Sequence, residues 1–225
     1  MADIAFLLLI FFLVTTTMDT DVGILRLLPP VVPEEQEPDI VKEKNIYEVL
    51  VNDADMLLVE DDIMDISELR DGAIEFLTSP CQRDDLPEKK WVRKAAVDAE
   101  VQKLRGYIAG ASDENTRNRY EDELKKWSAK QNAIKLIGEY KELPGAAVIS
   151  LQTGSKTSYD MYLQVQNELQ AAVRTLRDEL SVENFGVPYG ELDSSNPDDQ
   201  DKIKAIRVVY PQRISEAEPV ERDRS

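Results

Sequence analysis

Hydrophobic positions follow three different patterns along this chain. From Ile4 to Val14 they are unbroken, and Thr15, Thr16, Thr17 and Met18 extend the run until Asp19 and Asp21 stop it. From Asn45 the pattern alternates: Tyr47, Val49 and Val51 interleave with Ile46, Glu48, Leu50 and Asn52, which predicts a strand with one apolar face. Asn52-Asp53-Ala54-Asp55 reads as a turn and Met56–Val59 as a short second strand. The period then becomes helical. Asp65-Ile66-Ser67-Glu68 predicts a helix start, Leu69, Ala73, Ile74 and Leu77 share one face, and Pro80 closes it.

From Leu86 to Glu142 the chain is charged and helical by pattern, through Trp91, Ala95, Val101, Leu104 and Ile108, then Tyr120, Leu124, Trp127, Ala133, Ile134 and Ile137. Gly106, Gly110 and Ser112-Asp113 divide it, which predicts a helical hairpin inserted at one edge of the domain. Its charge density and bounding prolines predict that the rest folds without it. Ala146–Leu151 reads as a core strand turned by Gly154. Ser158–Leu180 reads as a long helix carrying Met161, Leu163, Val165, Leu169, Val173, Leu176 and Leu180. Asn184–Asn196 is a polar excursion, Pro197–Tyr210 one more helix, and Arg213–Pro219 a final edge strand or tail. Pro29–Pro38 is a linker by composition, an extended path of roughly 3.1 Å per residue.

The unbroken run admits three readings. A buried core helix would carry a polar stripe, and none is present. A signal peptide would carry a basic leader and a small-residue cleavage site, and both are missing. The third is a transmembrane helix. Ile4–Met18 covers about 22 Å as a helix where a span needs about 30 Å, so this reading expects the first turns and a cytoplasmic tail to lie upstream of Met1. It is the reading favoured here. Arg26 is the only positive residue between the run and Lys42, which places the C-terminal part outside the cytoplasm. Asp3 at the mouth of the run fits two roles. It is a good N-cap, and, with helix upstream of it, it becomes an ionisable group inside the bilayer.

Together these features predict an α+β protein. Residues 1–18 form a single N-terminal transmembrane helix and 19–44 a Pro-rich linker. Residues 45–220 form a small mixed αβ domain with a helical insertion over 82–142, and 221–225 are a tail. Charge narrows the function. Among 225 residues 32% are charged and the net charge is -17, which argues against nucleic acid and against an anionic membrane surface. Histidine is absent and Cys81 is the sole cysteine, so Ser-His-Asp chemistry, intramolecular disulfides and zinc ribbons are excluded. Neither a Walker motif nor GxGxxG occurs, so no cofactor is implied. Glu60-Asp61-Asp62 lacks the spaced oxygens and turn glycine of a calcium loop and reads as a surface hairpin. No metal site and no enzyme are expected.

The segment DIAFLLLIFFLVTTTMDTDVGILRLLP resembles the transmembrane helix and exit of the ExbD/TolR biopolymer-transport family. NIYEVLVNDADMLLVEDDIMDISELRDGAIEFL is similar to the opening strand, hairpin and helix of that family's periplasmic domain. AAVISLQTGSKTSYDMYLQVQNELQAAVRTLRDEL is similar to its next strand and helix. The resemblance covers about residues 2–80 and 144–220, and the 82–142 insertion departs from it. It implies that Asp3 is the proton-translocating acid and that Leu28 and Pro29 help engage the energy-transducing partner. The implied partners are an ExbB-like multi-helix membrane subunit, a second copy of the chain as a homodimer, and a TonB-like protein. The implied location is the inner membrane, single-pass, with the N-terminus cytoplasmic and the C-terminal domain periplasmic. Thr15, Thr16 and Thr17 are candidates for interhelical hydrogen bonds. The competing readings are an anchored periplasmic scaffold or binding protein without proton chemistry, and a TolR-like or flagellar stator-like subunit.

Overall fold

The computed structural model describes residues 43–80, 85–111 and 113–217. The alternating stretch is strand β1 (Ile46–Val51), and its apolar face is fully used: Tyr47, Val49 and Val51 are buried while Glu48 is exposed. β1 is central in a five-stranded sheet. On one side it pairs antiparallel with β2 (Leu57–Val59), which pairs with β3 (Asp62–Ile63). On the other it pairs parallel with β6 (Val148–Thr153), beyond which lies β7 (Ile214–Glu216), also parallel. A parallel neighbour cannot follow through a tight turn. The chain between β1 and β6 supplies the crossover.

Helix α1 (Ile66–Thr78) starts where Asp65 accepts a hydrogen bond from the Ser67 N–H at 2.9 Å. It buries Leu69, Ala73, Phe76 and Leu77. Ile74, expected on the same face, is partly buried, and Phe76 fills the core instead. Helix α4 (Tyr159–Phe185) runs past Leu180 because no breaker intervenes before Gly186, which ends it at φ 74°. Val165, Leu169, Val173 and Leu176 of α4 share one core with α1, β1, β2 and β6. Leu163 falls outside this stripe and is 37% exposed. The sheet is thus covered on one face, as its strand alternation requires.

The 82–142 stretch carries more than helices. Strands β4 (Lys90–Val92) and β5 (Tyr140–Glu142) pair antiparallel and flank helix α2 (Lys94–Gly110) and helix α3 (Glu114–Ile137). Trp91, expected on a helix face, lies in β4 and is 55% exposed, because the helix begins only at Lys94 and Val92 takes the inward position. The last helix, α5 (Pro197–Val209), packs against α3. Val92, Val97, Val101, Ala133, Ile134 and Tyr140 form a second core with Ala205 and Val209. The C-terminal helix thus has its apolar face buried against the insertion, which was expected to pack at an edge and to be dispensable for folding of the rest.

Candidate functional site

Asp3, Thr15, Thr16, Thr17, Leu28 and Pro29 lie outside the described residues, as do the transmembrane assignment and residues 19–42 of the linker; the linker's last two residues, Glu43 and Lys44, belong to a short 3-10 turn, Glu43–Asn45. Among the described residues no helix is long and apolar enough to cross a membrane. Among them also, no group of three or more acidic or cysteine side chains could hold a metal ion. Glu60 and Asp61 take the left-handed conformation, with φ 50° and 72°, in the turn between β2 and β3.

At the carboxyl ends of β1 and β6 two polar loops are welded together. Asp53 accepts from the Lys156 N–H at 3.0 Å, and Asp55 from the Ser158 N–H at 2.8 Å. The Thr157 hydroxyl is donated to the carbonyls of Val51 and Asn52 at 3.2 and 3.1 Å. Ser158 in turn caps α4 by accepting from the Met161 N–H at 3.2 Å. Gly154 is needed for close approach, since a Cβ there would run into the Asp53 carboxylate. Every partner is satisfied, so this is a latch rather than an open site.

The two cores meet along a cleft with cationic groups at its edge. Leu77 and Val173 come from the main core, Leu143 from the turn before β6, and Val209 from α5. Lys89 and Lys141 face the same space. Lys89 Nζ lies 5.9 Å from the Tyr210 ring centroid and Lys141 Nζ lies 5.2 Å from that of Trp91, both as cation–π contacts. Burial, and then the charge of Lys141, lower the Lys89 amine to about 8. Burial, then Glu179 and Glu183, raise the Tyr210 phenol.

Arginines hold the walls of this cleft in place. Arg213 donates to the carbonyls of Pro144, Ala147 and Leu143, the last two at 3.2 Å, tying the turn before β6 to the start of β7. Burial lowers its pKa, against the opposing charge of Glu142. Arg177 donates to the Tyr210 carbonyl at 2.9 Å and packs over the Tyr189 ring. None of this was visible in the sequence, because Lys89, Lys141 and Arg213 come from segments far apart and share no local spacing.

Comparison with known proteins bears on the chain as a whole. A family model described as "Biopolymer transport protein ExbD/TolR" matches residues 1–177. No curated protein and no solved structure matches. The matched range takes in the apolar run, β1 to β6 and most of α4, and leaves α5 and β7 beyond it.

Proposed function

The chain belongs to the ExbD/TolR family of biopolymer transport proteins, and on that premise we propose that it is the single-helix subunit of an inner-membrane motor driven by the proton motive force. Members of the family are non-enzymatic transport proteins that work with ExbB/TolQ-type membrane partners and with TonB/TolA, and are typically anchored in the inner membrane. In our reading, two copies of the Ile4–Met18 helix sit within an ExbB-like ring, protons pass through Asp3, and a TonB-like protein relays the motion to outer-membrane transport. Leu28 and Pro29 engage that relay protein, and the domain from residue 45 onward is periplasmic.

The observation that carries this reading is the family match itself, which begins at residue 1 and includes Asp3 at the head of the apolar run. The chemistry needs a single carboxyl. Desolvation raises the pKa of a buried acid, so it holds a proton in lipid-like surroundings and releases it on meeting water or a cation. Each half-cycle changes the local charge by a full unit in a low dielectric and so alters which helix packing is favoured. Asp3→Asn keeps the shape and removes the titration. Expressed with its ring partner, this variant loses energy-dependent uptake while still inserting and assembling; uptake at the wild-type rate overturns the assignment.

A further inference from the structure

We propose that the outer face of the β4–β5 ribbon, with the adjoining groove between α2 and α3, docks an acidic peptide segment of a partner protein. Lys141 stands opposite Trp91 across the ribbon and lies over its ring, and Trp91 keeps 55% of its surface exposed. Val92 and Tyr140 are buried, so the extended Arg93 follows Trp91 on the outer side. Glu139 then joins ribbon to helix by accepting the Lys94 N–H at 2.9 Å. Beyond it, Lys94 and Asp98 of α2 and Gln131, Ile134 and Lys135 of α3 line an open groove of about 510 Å³. That is well within the range of ligand sites, roughly 300 to 1,000 Å³, and has room for several side chains.

Charge complementarity names the occupant. Residues 86–142 carry 13 Lys and Arg against 10 Asp and Glu, whereas the rest of the chain carries 14 against 34. From Glu100 to Lys126 six cations balance six acids, so the whole positive excess lies in the ribbon and the helix ends beside it. Arg93, Lys94, Lys135 and Lys141 are all exposed there. The acids among them are engaged: Asp98 accepts from the Gln131 amide at 2.5 Å, Glu139 from the Lys94 N–H, and Glu142 pairs with Lys130 at 2.7 Å. At physiological ionic strength charges act over about 8 Å, so a short acidic segment senses only this patch. A nucleic acid or an anionic lipid surface extends past it and meets the acidic remainder of the chain. Trp91 and the Ile134 floor of the groove add apolar contact, and tryptophan is among the residue types that anchor protein interfaces. An inorganic anion would leave both unused. The fit is a run of Glu or Asp interrupted by an apolar residue.

Docking is measured by the fluorescence anisotropy of a rhodamine-labelled Glu-Glu-Leu-Glu-Glu peptide added to the full chain held in phosphatidylcholine nanodiscs. A saturable rise is expected. It is absent for the Gln-Gln-Leu-Gln-Gln peptide and weakens as sodium chloride is raised from about 50 to about 300 mM. Lys135→Gln combined with Lys141→Gln weakens binding about tenfold, and Trp91→Ala does so by about the same factor. All three side chains are exposed, and an unchanged melting temperature confirms that each variant folds. Lys125→Gln combined with Lys126→Gln removes the same charge from α3 roughly 14 Å away from Lys135 and leaves binding unchanged. Three results overturn the proposal. One is the absence of saturable binding, and another is an equal loss from the two lysine pairs. The third is stronger competition, charge for charge, from duplex DNA or from phosphatidylglycerol vesicles than from the unlabelled peptide.

Discussion

The hydroxyl of Tyr47 on β1 occupies the space that a side chain at position 72 of α1 would need. Tyr47 is 5% exposed, its ring packs on Phe76 with centroids 5.3 Å apart, and its hydroxyl has no hydrogen-bond partner. Burial above all, then Glu60 and Glu75, push the phenol up to about 12. Gly72 thus stands in mid-helix not for backbone freedom but because helix and strand approach too closely there for a Cβ.

Gly72→Ala is accordingly destabilising, although alanine is the better helix former by roughly 1 kcal/mol. Overpacking a filled core costs about 1–3 kcal/mol, and the Tyr47 ring is held by Phe76 and cannot swing away cheaply. Tyr47→Phe removes a buried, unpaired hydroxyl and is neutral or stabilising. In that background Gly72→Ala recovers most of its loss. Urea unfolding of the four proteins gives the coupling energy. Additive effects would show that the clash is relieved elsewhere.

Removing residues 86–142 behind a short Gly/Ser link strips Val97, Val101 and Ile134 from Ala205 and Val209. Helix α5 then loses its packing partner, and helices of its length are marginal alone in water. The expected outcome is a loss of far-UV helical signal larger than α2 and α3 account for, and fast amide exchange over Ala205–Val209. Protection at those amides equal to the wild type would mean that α5 docks on the main core alone. The point substitution Ile134→Ala, which leaves the chain intact, should cost about 2–4 kcal/mol.

The main sheet and its helices could be read from the sequence wherever one face is buried and the other solvated. Tyr47, Val49 and Val51 alternate with polar or half-buried neighbours, and Leu69, Ala73 and Leu77 recur at helical spacing behind the Asp65 cap. β4 and β5 were missed because three residues are too short to show a period, and Trp91 mimicked a helix position. The second core was missed for a different reason. Its halves, Val97 to Ile134 and Ala205 to Val209, are each amphipathic alone, and nothing local says which faces meet. The cleft follows from that meeting, so Lys89 and Lys141 were equally silent.

Asp55 supports the start of α4 from the β1–β2 turn. It holds φ 58°, a conformation that Asp and Asn tolerate and alanine does not, while its carboxylate accepts the Ser158 N–H. Asp55→Asn retains the backbone and an acceptor and loses only the charge beside the helix N-terminus, a cost of about 0.3–1 kcal/mol. Asp55→Ala loses the hydrogen bond and adds left-handed strain, a cost of about 2–3 kcal/mol. Equal stability of the two variants in urea would show that the latch carries no strain.

Lys89 gives the fold a stability that depends on pH in a defined window. An unfolded lysine titrates at 10.5 and folded Lys89 at about 8, because burial and then Lys141 disfavour its charged form. Below 8 both states carry the proton and the folded state bears the whole cost. Between 8 and 10.5 the unfolded chain holds a proton that the folded one has released, so this group's contribution to stability rises with pH. Tyr47 acts in the opposite direction at higher pH: its unfolded phenol ionises near 10 before the folded one does near 12, and stability falls across that interval. The comparison of wild type with Lys89→Met cancels the tyrosine contribution. The variant should be the more stable at pH 7, and its advantage should shrink steadily from pH 8 to 10. A difference independent of pH from 7 to 10 would show that Lys89 titrates as an ordinary surface lysine.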